Sequence, residues 1–219
     1  MKTNTFLSTF LALIITIIPF IYLFFILGSM PEIVPTHFGI DGKPDHFGSK
    51  QQLLIVPILF SVMSIGIYFL FKNIDKIDPK QAAKMSKDVF NKLGLTMVIF
   101  LNSISISIIH STISHEIGNL LFIVMGLFFI ILGNLMHSLK SNYFIGLRLP
   151  WTLENEDNWR KTHQLASKIW FAGGLFILIS ALLLPIKMMF IVIIISVLIM
   201  VLIPTIYSYQ LFKKNSINN

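Results

Sequence analysis

The chain of 219 residues is 55% hydrophobic and only 12% charged, with a mean hydropathy of +0.79, which excludes an ordinary soluble domain. Cysteine is absent, so disulfides, thiolate metal sites and cysteine nucleophiles are excluded as well. The net charge of +7 would suit nucleic acid, but in so apolar a chain the placement of the cations carries more information than their sum.

Six apolar runs, at roughly 6–28, 52–72, 93–113, 118–138, 167–186 and 188–211, each approach the ~20 residues needed to cross a bilayer core of ~30 Å. The expected fold class is therefore all-α: a polytopic membrane protein with six transmembrane helices, a structured outer loop after helix 1 and a helical cytoplasmic linker between helices 4 and 5. The first run is too long for the apolar part of a cleaved signal and no A-x-A site follows, so it reads as an uncleaved helix. Pro19 falls in its middle and is expected to kink it. With both termini inside, fourteen of the seventeen lysines and arginines fall on the cytoplasmic side, leaving Lys43, Lys50 and Lys187 outside; this asymmetry sets the topology and explains the basic pI without nucleic acid.

The stretch Pro31 to Ser49 is punctuated by prolines, Asp41-Gly42 and Gly48, so it reads as turns or a short hairpin on the outer face. His37, Asp41, Asp45 and His46 are its candidate contact residues. Imidazole and carboxylate suit zinc, but the spacing is loose and Asp in a D-G turn ordinarily bonds its own backbone, so a folded cap is the expectation and a metal is not. The link 73–92 carries Asp78 and Pro79 in helix-starting order. Its lysines, Lys76, Lys80, Lys84 and Lys87, face either anionic headgroups or a cytoplasmic partner, with lipid favoured.

Helix 3 carries Ser103, Ser107, His110 or Ser111, and Ser114 on one stripe beside Asn102; helix 4 carries Asn119, Gly126, Gly133 and His137 on another. Small and amide side chains at these steps let helices approach and bond across the membrane. His115-Glu116 lacks the second histidine of a metalloprotease motif.

Tyr143 to His163, YFIGLRLPWTLENEDNWRKTH, gathers four aromatics, three cations, three anions and a histidine into twenty-one residues. An interfacial belt gathers Trp, Tyr and Arg in the same way, yet a connection this dense in costly side chains points to a role. Gly146 provides a bend and Pro150 a helix break. Asn155 or Thr152 can cap the next helix, with Glu156–Arg160 and Asp157–Lys161 as supporting pairs. Trp159, His163, Ala166 and Trp170 share a stripe. Arg148, Asn155, Trp159 and His163 are expected to form a polar cluster at the inner mouth, with Asn134 and His137 of helix 4 as partners for Arg148 or for a ligand.

The outer loop P-x-H-F-G-x-D-G-x-P-D resembles a short domain of unknown function that often precedes SdpI-type domains. Tyr143, Phe144, Gly146, Arg148, Pro150, Trp151, Thr152, Asn155, Trp159, Thr162 and His163 resemble the SdpI family signature, departing at Leu147, where Ile is common. The resemblance implies a six-helix bacterial inner-membrane protein that confers immunity to a secreted membrane-active peptide toxin, with relay to a cytoplasmic transcriptional repressor as a further role. The division expected is an N-terminal two-helix unit (1–72), a basic linker (73–92) and an SdpI-like four-helix unit (93–219). Membrane lipids, a toxin on the outer face and a repressor are the expected partners, with no direct nucleic acid and no cofactor. A small-solute transporter or channel is the alternative, disfavoured because helix centres lack Asp, Glu, Lys and Arg. An enzyme is not expected, since no nucleophile–base pair or paired carboxylates lie within the membrane.

Overall fold

A computed structural model describes residues 5–77 and 87–217. Helix α1 (Thr5–Leu27) leads to a two-stranded antiparallel hairpin, β1 (Ile33–Phe38) and β2 (Pro44–Ser49), then through a 3₁₀ turn (Lys50–Leu54) to α2 (Ile55–Lys72) and a one-turn helix α3 (Ile74–Ile77). Then follow α4 (Lys87–Ser114), α5 (Asn119–Met136), the short α6 (Pro150–Glu154), α7 (Glu156–Leu183) and α8 (Ile186–Ile217). Six of these helices are long and apolar enough to cross a membrane: α1, α2 with its preceding turn, α4, α5, α7 and α8. The protein is a helical polytopic membrane protein, as its apolar runs foretell. The helix start expected at Asp78–Pro79, with Lys80 and Lys84, lies outside the described residues.

The bundle is built for lipid. Phe6, Phe24, Phe25, Ile191, Ile194, Leu198 and Leu202 point outward and are exposed, while Ser64, Asn102, Ser105, Thr162, His163 and Ser208 are buried. This inverts the arrangement of a soluble protein, since lipid solvates the apolar surface and polar atoms gather inside; of those named, only Asn102 Oδ1 and Ser105 Oγ lack a hydrogen-bond partner there.

Two sets of helices are distinguishable by packing. Helix α4 packs mainly against α2 and α1, α5 mainly against α7, and α7 in turn against α8, with α4 and α5 meeting more lightly. Asn102 of α4 donates to Ser64 Oγ of α2 (3.1 Å) and to its own Val98 carbonyl (2.8 Å). Near the start of α1, the Tyr68 hydroxyl meets Ser8 Oγ (3.2 Å) and Thr9 Oγ1 (3.1 Å), and Lys72 Nζ donates to Thr9 (2.9 Å). Ser107 and Ser111, expected to bond across helices, instead donate to carbonyls four residues back in α4, the local alternative open to a helical hydroxyl.

The glycine stripe of α5 does what its spacing predicts. A Cβ on Gly126 would sit 2.9 Å from Leu178 N, one on Gly133 2.5 Å from Phe171 N, and one on Gly174 of α7 2.6 Å from Ile130 N. Backbone meets backbone at all three. Asn119 and His137, at the ends of the stripe, are exposed.

The hairpin closes one end of the bundle. Gly42 adopts φ +80° in the connecting turn, the conformation a D-G turn reserves for glycine, while Asp41 Oδ1 accepts from Lys43 N–H (3.1 Å). Val34 is buried with Leu23, Met30, Leu53 and Ile109, seating the base of the hairpin on α1 and α4. At the tip, Ile117 N–H donates to the Gly42 carbonyl (3.0 Å), and a Cβ on Gly42 would lie 3.3 Å from the Ile186 side chain.

Candidate functional site

The opposite end of the bundle is organised by the connection 137–155. Asn142, 2% exposed, accepts at Oδ1 from the N–H groups of Phe144 (2.9 Å) and Ile145 (2.8 Å) and donates from Nδ2 to Lys140 O (2.8 Å). That single amide folds the chain into a tight turn, the ordinary use of Asn in loops. Gly146 follows at φ +107°, and a Cβ there would collide with His163 Nε2 and lie 3.2 Å from the Trp159 ring. Only glycine satisfies both requirements.

Past Gly146 the chain bonds to α7 directly. Leu147 N–H donates to His163 Nε2 (3.0 Å), and His163 Nδ1 lies 2.8 Å from the Trp159 carbonyl. An imidazole that accepts at Nε2 must carry its proton on Nδ1, so the two bonds select one neutral tautomer. The Trp159 ring stacks on His163 (centroids 4.0 Å apart, 20° from parallel) while its indole N–H donates to Leu139 O (2.9 Å). Thr152 donates to Leu147 O (2.7 Å) and accepts from Leu149 N–H (3.0 Å), closing the first turn of α6 beside Pro150.

Helix α8 holds the other side. Ser208 Oγ accepts from the Trp151 indole (3.0 Å), and the Ser208 carbonyl accepts from Asn158 Nδ2 (3.0 Å). Asn158 Oδ1 accepts from Thr162 (3.0 Å), and Trp151 packs on Tyr209 and Phe212. Buried polar atoms in this region are thereby paired, as a membrane interior demands.

The expected cluster is corrected in membership. Trp159 and His163 stand at its centre with Thr162, Thr152 and Gly146, but Arg148 is exposed and donates to the Tyr143 carbonyl (2.6 Å). The reason is local: the Leu147–His163 bond turns Leu147 into the core, so the next side chain faces outward. Asn155 is exposed too and caps α7, accepting from Asp157 and Asn158 N–H (3.0 and 2.9 Å). Asp157 takes both nearby cations, Arg160 (2.6 Å) and Lys161 (2.7 Å). Phe144 packs against the core, and Tyr143 and Pro150 line the rim. Asn134 is exposed on α5 and does not line the cleft beside this region, whereas His137 does. That cleft, ≈ 770 Å³, is also lined by Lys140, Ser141, Glu156, Trp159 and Arg160. Asn142, Asn158 and Ser208 escaped the sequence reading; an Asn just before the aromatic pair was the available signal for the first.

On the hairpin, His37 and His46 face each other across the strands. Both bond Asp45 Oδ1, at 2.6 and 3.1 Å, and these hydrogen bonds, the one from His37 foremost, hold the Asp45 carboxyl below the usual carboxylate range. Asp41 stays with the turn.

Six spans, a strand hairpin at one end and a glycine-and-histidine knot between the fourth and fifth spans define a polytopic membrane protein whose polar chemistry lies at the helix ends. Residues 138–208 match the model of the SdpI/YfhL protein family, and residues 14–60 match the Domain of unknown function (DUF1648). It is similar to the Immunity protein SdpI of Bacillus subtilis (strain 168), at 27% identity covering 93% of this chain and 95% of the relative. An uncharacterized protein of Archaeoglobus fulgidus is 31% identical over 44% of this chain and 66% of its own length. No solved structure matches.

Proposed function

We propose that the chain is an immunity protein of the bacterial inner membrane, protecting the cell from a secreted membrane-active peptide toxin. The observation that carries this reading is the similarity to Immunity protein SdpI along nearly the whole of both chains, together with a 143–163 stretch in which Trp159 stacks on His163 and Gly146 leaves room for it. In this reading both termini are cytoplasmic, the hairpin meets the toxin outside, and the knot at the inner ends fixes the resting arrangement of α5, α7 and α8. The hairpin with α1 and α2 forms the N-terminal unit, and the remaining four spans carry the family motif.

A relay to a cytoplasmic repressor is a second role for the same site. What favours it is the inner cleft beside His137, Glu156 and Arg160, which is open and bears both signs of charge. The test is expression in a Bacillus subtilis strain lacking Immunity protein SdpI, mixed with toxin-producing siblings. Survival of the complemented cells is expected; cells that die while the protein is present in their membranes would overturn the reading. Solute flux in proteoliposomes would favour a transporter instead.

A further inference from the structure

We infer that His37, Asp45 and His46 form a binding site for a zinc-class divalent cation at the outer end of the hairpin. One nitrogen from each imidazole and a carboxylate oxygen lie within 4.8 Å of one another. Two of the donors face each other across the strands, and the third adjoins one of them in sequence. Two nitrogens and one oxygen form a donor set that suits zinc, which takes such ligands at about 2.0–2.2 Å. Magnesium and calcium prefer all-oxygen shells, so neither should compete.

The convergence is not needed to hold the hairpin together. Its base is tied by Lys50 to Glu32 (2.9 Å) and by the buried Val34, and its tip by the Gly42–Ile117 bond. The side chains of His37, Asp45 and His46 are 66%, 45% and 76% exposed, and polar contacts between exposed groups contribute little to stability. Exposure instead gives a cation direct access from solvent, one of the requirements of a workable site. Three protein donors leave a tetrahedral ion with one position for water or an outside group. Bound metal would cross-link β1 to β2 near the turn.

The test uses the full chain in detergent micelles, purified through a tag without histidine and stripped with chelator. Cobalt(II) titration should show one saturable equivalent with visible d–d absorption, displaced by zinc and unaffected by excess magnesium. Losing an outer partner of a metal ligand ordinarily weakens affinity 10–100-fold, so His37→Ala and His46→Ala should each weaken it at least about tenfold. Asp45→Asn should weaken it as well, while His115→Ala, on the neighbouring turn, should leave it unchanged. Zinc should also slow backbone hydrogen exchange across 33–49 in the unsubstituted protein, a readout that needs no variant. No saturable uptake, uptake indifferent to both histidine substitutions, or exchange unaltered by zinc would each overturn the inference. None of these outcomes depends on protection from a toxin.

Discussion

His163 accepts a hydrogen bond from Leu147 N–H at 3.0 Å, sixteen residues away in sequence, and so joins the irregular connection to the helix that follows it. The bond fixes the imidazole tautomer, aims Leu147 inward and leaves Arg148 outside.

Replacing His163 by Leu keeps a similar volume but leaves the Leu147 N–H without a partner. An unsatisfied buried donor costs about 1–3 kcal/mol, so a clear drop in thermal stability in detergent is expected, with protection lost. An unchanged melting temperature would show that the bond contributes nothing to holding the connection.

Arg148→Leu should behave differently. The side chain is exposed, and surface changes ordinarily stay within about 0.5 kcal/mol, so expression and melting should match the parent. Protection should nevertheless be abolished, because a cation exposed at the rim of the motif, beside Tyr143 and Pro150, can meet something outside the fold. Full survival of cells carrying this variant would remove Arg148 from the site.

Gly133→Val tests the helix seam. The new Cβ would press on the Phe171 backbone, which cannot rotate away, and overpacking of this kind costs typically about 1–3 kcal/mol. Gly66→Ala is the matching control: nothing lies within 4 Å of that position, and alanine in a helix gains up to about 1 kcal/mol over glycine. Opposite shifts in melting temperature are expected from the two substitutions.

Asn155→Ala removes the side chain that receives two N–H groups at the start of α7. Caps of this type are worth about 0.5–2 kcal/mol. Faster hydrogen exchange confined to residues 156–160 is the expected signature.

Acid should loosen the end of the bundle that carries α3. Lys87 hydrogen-bonds Asp75 at 2.7 Å and holds its carboxyl below the usual carboxylate range. A lowered value means that folding favours the charged form, so the contribution is fully present above about pH 4 and fades as pH falls through the lower folded value. Hydrogen exchange of residues 70–77, corrected for intrinsic rates, should rise over that window, and Asp75→Asn should abolish the pH dependence.

The spans were legible because length and apolarity alone decide them, and Gly126, Gly133 and Gly146 were legible because only close approach or a positive φ requires glycine there. Trp159 and His163 could be placed on one stripe from their spacing of four, facing the bundle or the headgroups, and the structure buries both. Arg148 could not be placed, since its direction depends on a bond between Leu147 and His163 that spacing does not encode. Nor could Ser208, which looks like an ordinary small residue of the last span until Trp151 and Asn158 fold back onto it. For the hairpin, prolines and turn dipeptides foretold turns or a short hairpin, but a bulge between Pro35 and His37 sets which side chains meet, and that is a matter of register.

The tip of the hairpin rests at once on the turn after α4 and on the first residue of α8. Its root lies between α1 and α2. It therefore straddles the lightly packed boundary where Phe100 stacks on Phe128 (3.7 Å), like a clasp laid across a hinge. Whatever shifts one set of helices against the other must therefore displace the strands that bridge them at this end.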